Sequence, residues 1–162
     1  MKLYVLSDTH GKIEKAVYVW SKLHSVDLIV HLGDLARDAV RLSGHLGKPV
    51  VSVRGNNDFF YNTKEDFRVL ETEYGNLLLT HGHLLGVKYG LDKLCYKALE
   101  MDCRAALFGH THMPFFTEAG GLYLLNPGSL THPWDGTKGS YAIVNTTPES
   151  FTASIVYYDD IK

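Results

Sequence analysis

Five apolar runs in this 162-residue chain each end in a short polar motif, and that repeated juxtaposition restricts the fold more than any other feature. The motifs are Asp8-Thr9-His10, Gly33-Asp34, Gly55-Asn56-Asn57-Asp58, Thr80-His81-Gly82-His83 and Gly109-His110-Thr111-His112. A short apolar run that stops at glycine or a polar cluster reads as a strand buried on both faces. Such strands belong to sheets covered by helices, and ligands gather beyond their carboxyl ends.

Leu3-Tyr4-Val5-Leu6 and Asp27 to Leu32 predict the first two strands, with Ile13, Ala16, Val17, Trp20 and Leu23 at helical spacing between them. Leu35 to Leu46 predicts a helix, because Gly47 and Pro49 lie beyond its end. Val50-Val51-Ser52-Val53 is a third strand, so the first third reads β-α-β-α-β. Phe67 to Thr72 and Asn76 to Thr80 predict a hairpin turning at Tyr74-Gly75. A helix with Leu91, Leu94, Cys95, Ala98 and Leu99 on one face follows, then a strand from Ala105 to Phe108. The last third is β-rich: Phe115 to Thr117, Leu122 to Leu125, and a hairpin of Ser140–Asn145 with Phe151–Tyr158 around Pro148. The expectation is one α/β domain over residues 1–162, with two facing mixed sheets and helices on the outer surfaces.

An apolar content of 45% and a charged content of 21% suit a globular domain of this length. A net charge of −2 argues against a dedicated nucleic-acid surface, which would need a basic face. It does not exclude an enzyme acting on phosphoesters, since bound metal supplies positive charge. Cys95 and Cys103 lack metal-ligand spacing, and Cys95 reads as core. The run from Leu3 to Leu6 is too short for a signal peptide or membrane span, so a cytoplasmic location is the default. The 10 tyrosines and 7 phenylalanines are compatible with a homodimer.

The candidate ligands among the motif residues are two carboxylates, one amide and several imidazoles. Asp34 can reach two ions, because a carboxylate has lone pairs on both oxygens. Pooling gives one ion Asp8, His10, Asp34 and His112, and the other Asp34, Asn56, His81 and His110. Two divalent ions bring +4 against −2 from the aspartates, which leaves the pair ready for hydroxide and an anionic substrate. Ions about 3.5–4 Å apart can clamp a phosphoryl group and acidify bound water. Mixed nitrogen and oxygen donors favour Mn, Fe, Co, Ni or Zn over Mg or Ca.

The ordered motif set resembles the calcineurin-like metallophosphoesterase superfamily. The short length and the segment Asn126-Pro127-Gly128-Ser129 make it similar to the small YfcE-like phosphodiesterases. The resemblance runs from residue 2 to about residue 158. It implies a four-layer α/β-β/α sandwich and metal-dependent phosphodiester hydrolysis, in which a metal-bridging hydroxide attacks phosphorus in line. It implies the same seven ligands, with Mn first among the metals, and a small phosphodiester as substrate. The related retromer subunit, a protein-binding scaffold on the same fold, supplies the alternative.

One position departs from the wider superfamily. A histidine often follows the Asn ligand there, and this chain has Asn57. An amide can donate a hydrogen bond but cannot act as a general acid, which is typically worth about 10²–10⁴-fold. Aryl phosphodiesters are therefore expected to react well and alkyl phosphomonoesters poorly.

His83 either lies behind ligand His81 or approaches the substrate as a replacement acid. Asp58 either anchors the Asn56 loop or orients a ligand histidine. Arg54 binds phosphate or pairs with a carboxylate. Phe59-Phe60-Tyr61 forms an apolar wall for an aryl or nucleoside group, or else packs in the core or a subunit contact. His31 reads as a satisfied core histidine, His24 and His45 as solvated, and His132 as a candidate for the cleft. Thr9, Gly82 and Thr111 read as spacers in tight turns.

Overall fold

The computed structural model describes residues 1–58 and 65–161. Ten strands form two five-stranded mixed sheets among the described residues. The first sheet contains β1 (Lys2–Leu6), β2 (Leu28–His31), β3 (Val50–Ser52), β9 (Ser140–Thr146) and β10 (Phe151–Tyr157), in the order β10-β9-β1-β2-β3. The second contains β4 (Phe67–Thr72), β5 (Gly75–Thr80), β6 (Cys103–Leu107), β7 (Pro114–Ala119) and β8 (Leu122–Pro127), in the order β4-β5-β6-β8-β7.

Side-chain alternation explains the layering. Leu3 and Val5 of β1 join Val30, Leu77, Leu79 and Leu107 in a core between the sheets. Tyr4 and Leu6 point the other way, against Ala16 and Val19 of α1 (Glu14–Lys22) and Leu42 of α2 (Ala36–Leu46). Leu78 and Ala106 likewise leave the second sheet to meet Leu94 and Ala98 of α3 (Asp92–Glu100). Both faces of the central strands are thus buried, which is why they read as unbroken apolar runs. Each fully buried leucine contributes about 1.5–3 kcal/mol. The result is a helix–sheet–sheet–helix sandwich of four layers.

Leu99, expected on the buried face of α3, is exposed. It stands about 100° around the helix from Ala98, beyond the reach of the sheet. Cys103 is buried and Cys95 is half-buried against the same cluster, and neither forms a disulfide. No described helix is long and apolar enough to cross a membrane.

Strands β1, β2 and β3 run parallel, as do β5, β6 and β8. Their carboxyl ends therefore lie along one edge of each sheet, and the polar motifs leave from those ends.

Candidate metal centre

The loops meet where the two sheets face each other. Asp8 N–H donates to Gly33 O within the first sheet, and Gly109 N–H donates to His81 O within the second. His81 Nδ1 reaches Leu32 O at 2.8 Å and His110 N–H reaches Asp8 Oδ2 at 3.0 Å, which joins the two sets.

Left-handed backbone collects at this seam. Asp8, His10, Asp34, His110 and His112 have φ values of 55°, 47°, 53°, 69° and 57°. Only Ser25, Leu35 and Asp102 share this conformation among the other described non-glycine residues. Each such residue costs on the order of 1–3 kcal/mol, so a fold retains them where a site needs them. The tight turns aim the expected ligands inward.

Asp8 is fully buried. Its Oδ2 accepts from Ser7 Oγ at 2.5 Å and from the His110 N–H, whereas Oδ1 has no hydrogen-bond donor among the described residues. That orphaned oxygen faces three imidazoles, with His112 Nε2 at 3.2 Å, His81 Nε2 at 3.8 Å and His10 Nε2 at 4.0 Å. Backbone carbonyls determine which nitrogens carry hydrogen. His81 Nδ1 donates to Leu32 O and His112 Nδ1 donates to His132 O at 2.7 Å. The neutral rings then present bare Nε2 lone pairs to a carboxylate oxygen. His81 Nε2 also meets Asn56 Oδ1 at 3.1 Å. Acceptors facing acceptors in a buried site call for a cation between them.

A proton can partly fill that role. Burial pushes the Asp8 carboxyl up, but the His112 contact, the nearby His81 and the Ser7 hydroxyl outweigh it and hold Asp8 at about 2. Burial pushes His112 down, and Asp8 overcomes this to raise it. His110 goes the other way, lowered to about 4 by burial and by its neighbours His81 and Lys88. At neutral pH it offers a lone pair.

Among the described residues, two groups of ligand atoms have all members within 4.8 Å of one another: Asp8, His10 and His112, and Asp8, Asp34 and His81. Asp34 Oδ2 lies 3.9 Å from His10 Nε2, and its Oδ1 lies 3.6 Å from His81 Nε2. Asp34 therefore spans the two groups, and Asp8 is common to both. Asn56 joins the second through its contact with His81. His110 is in neither group, with its ring centroid 5.0 Å from that of His81. This mixed nitrogen and oxygen set fits divalent transition ions.

The neighbouring candidates make specific contacts. Asn57 donates its side-chain amide to Asp34 Oδ2. Asp58 accepts from Ala36 N–H at 2.6 Å and Gly55 N–H at 2.8 Å, and so anchors the Asn56 loop. Arg54 forms a two-pronged pair with Asp66 at 2.7 and 2.8 Å. His83 begins a 3-10 turn, its Nδ1 buried and without a partner among the described residues, and lines a hollow of about 290 Å³ with Asn56, Arg54 and Leu84. His31 is buried and satisfied, donating to Thr9 Oγ1 at 2.9 Å and accepting from Gly33 N–H at 3.3 Å. The His132 ring lies 5.0 Å from His10. His24 and His45 are exposed. Phe59, Phe60 and Tyr61 fall outside the described residues.

Sequence reasoning missed Asp38. This buried carboxylate accepts from Thr9 Oγ1 and Gly11 N–H, both at 2.7 Å, and so pins the Asp8–Gly11 loop to α2. Its signal was an acid in the first turn of a helix directly after Gly33-Asp34. Ser129 Oγ, which donates to Asp8 O at 2.8 Å, was also missed as a support, though its segment had been noted.

A model of the calcineurin-like phosphoesterase superfamily domain matches residues 1–149. The chain belongs to this superfamily. It is 33% identical to the probable metallophosphoesterase YsnB of Bacillus subtilis, over 98% of this chain and 91% of that protein. It is 28% identical to phosphodiesterase YfcE of Escherichia coli, over 90% of this chain and 88% of YfcE. Its fold matches the crystal structure of a predicted phosphoesterase from Streptococcus pneumoniae with a TM-score of 0.81, 30% identity and coverage of 98% and 90%. Vps29 of Entamoeba histolytica, solved with zinc, shares the fold at a TM-score of 0.77 and 20% identity, with coverage of 98% and 99%.

Proposed function

We propose that this superfamily member hydrolyses small phosphodiesters at a pair of divalent transition ions. The observation that carries this reading is the orphaned Asp8 Oδ1 among imidazole nitrogens whose lone pairs converge on it. The superfamily match and the name of the relative YfcE support the reaction class.

Asp8, His10, Asp34 and His112 hold one ion, and Asp34, Asn56, His81 and His110 hold the other, with Mn ahead of Ni, Zn, Fe and Co. Such a pair supplies an acidified water as nucleophile and positive charge for the phosphoryl oxygens. The protein's part is orientation. The carbonyls of Leu32 and His132 fix the tautomers of His81 and His112. Asn57 steadies Asp34 with an amide that cannot supply a proton at neutral pH. Esters with good leaving groups, such as aryl phosphodiesters, are therefore preferred over alkyl phosphomonoesters. His83 faces the adjoining hollow, where its ring can hydrogen-bond the substrate.

Asp34→Ala and His81→Ala should abolish Mn-dependent hydrolysis of bis(p-nitrophenyl) phosphate while leaving the circular dichroism spectrum of the fold unchanged. Full turnover in either variant refutes the reading. The likeness in fold to Vps29 favours a second reading, a protein-binding scaffold. Turnover separates the two better than metal content, because that Vps29 was itself solved with zinc.

A further inference from the structure

Trp134 is the largest side chain beside the metal centre to which the roles above give no task. Its indole stacks on the His112 imidazole with 4.6 Å between centroids and 22° between planes. Its backbone N–H donates to His112 O at 3.4 Å, so ring and backbone are both tied to the ligand segment. Even so, 60% of the residue remains exposed. A tryptophan held in place yet open to solvent offers a rigid surface that loses little entropy when another ring lies on it.

Lys88 Nζ lies 4.8 Å from the indole centroid. An exposed cation–π contact is worth roughly two- to fivefold in a binding constant. Stacking of a base or similar ring on an aromatic side chain is worth roughly five- to hundredfold. An incoming ring therefore wins the indole, and the flexible lysine stem lets the ammonium move toward the anionic phosphoryl group.

We infer that Trp134, with Lys88 beside it, forms a specificity subsite that takes a planar aromatic ester arm of the phosphodiester. This rests on the phosphodiesterase reading above and deepens it. The subsite lies against the His10–His112 group, whereas the hollow at His83 and Asn56 borders the His81 group. The two ester arms thus meet different surroundings, one aromatic and one more polar.

The test compares bis(p-nitrophenyl) phosphate with methyl p-nitrophenyl phosphate in the Mn-loaded enzyme. The leaving group is the same, and the second arm is a ring or a methyl group. The ratio of their kcat/KM values should fall roughly tenfold in Trp134→Leu, and Trp134→Phe should largely restore it. Thymidine 5′-(p-nitrophenyl) phosphate tells a nucleobase from a simple aryl ring. An equal loss extends the subsite to bases, and no loss restricts it to small aryl groups. Phenylphosphonate should quench tryptophan fluorescence more than methylphosphonate does. That signal is readable because the only other tryptophan, Trp20, packs on the helix side of the first sheet. Lys88→Met should weaken phenylphosphonate binding about threefold.

An unchanged ratio in Trp134→Leu, or an equal loss on both diesters, overturns the inference and leaves Trp134 as a support for His112. If wild-type enzyme hydrolyses neither diester, the phosphodiesterase reading fails first. If it hydrolyses both and phenylphosphonate gives no selective quenching, only the subsite fails.

Discussion

Asn57 holds both oxygens of Asp34, donating from its side-chain amide to Oδ2 at 2.7 Å and from its backbone N–H to Oδ1 at 3.0 Å. The carboxylate that spans the two ligand groups is thus oriented by a single residue. Losing a hydrogen bond that orients a ligand typically costs about 10–100-fold in metal affinity. Asn57→Ala should weaken Mn binding by that amount, read by competition with a fluorescent chelator. Unaltered affinity would mean that other groups orient Asp34. Asn57→His should likewise bind metal less tightly, and in addition gain turnover of p-nitrophenyl phosphate.

Protons should compete with metal at the proposed Asp8–His112 ligand pair. His112 has a raised pKa, so below that value an entering ion must displace its proton. Apparent Mn affinity should rise with pH through the region above 6.5 and level off once His112 is neutral. His110, at about 4, adds competition only in acid. Isothermal titration between pH 5.5 and pH 8.5 checks this, and a flat profile would contradict it. Stability follows the same linkage. Asp8 at about 2 lies below its unfolded value, so it stabilises the metal-free fold above about pH 3.9 and that contribution is lost as pH falls toward 2. The raised His112 stabilises below its unfolded value, and that part is lost as pH rises through its folded pKa.

The order of strands and the convergence of the motif loops were legible because burial on both faces leaves unbroken apolar runs and each run stops at its loop. Asp8, Asp34, Asn56 and His81, each just after an apolar run, were legible as groups that the fold brings together. Left-handed backbone at His10, His110 and His112 was not legible, since those residues have a Cβ and nothing local demands the conformation. Arg54 read equally well as a phosphate ligand until Asp66 appeared opposite it, contributed from just before β4. Asp38 looked like an ordinary helix-start acid because its partners, Thr9 and Gly11, lie more than a strand and a helix earlier. Local pattern identifies the donors of a site, and tertiary contact decides which supports hold them.

Gly55 has no room for a side chain. A Cβ there would run into Asp34 Oδ1 and the Asp34 backbone N. Overpacking of this kind typically costs about 1–3 kcal/mol, and here the displaced group is itself a candidate ligand. Gly55→Ala should lower stability by about 2 kcal/mol in urea denaturation and leave the purified protein with less than its full complement of metal. Gly44, with open space around it, is the control, and Gly44→Ala should be neutral or mildly stabilising in its helix.

Asp38 should matter as much as a ligand although it touches no candidate ion. Its Oδ2 is shared by the Thr9 hydroxyl and the Gly11 N–H, and its Oδ1 lies 3.2 Å from Arg41 Nη1, which also donates to Gly11 O at 2.8 Å. Arg41 is substantially exposed, so the ion pair contributes little by itself. The buried donors decide the outcome, because each one left unsatisfied costs about 1–3 kcal/mol. Asp38→Ala should destabilise the fold by about 3 kcal/mol and release the left-handed turn that aims His10. Asp38→Asn retains one acceptor and the shape, so it should recover a good part of both stability and Mn affinity. If Asp38→Ala lost stability but bound Mn as tightly as the wild type, the turn at Asp8–Gly11 would be set by Ser129 and Thr131 on its other side instead of by α2.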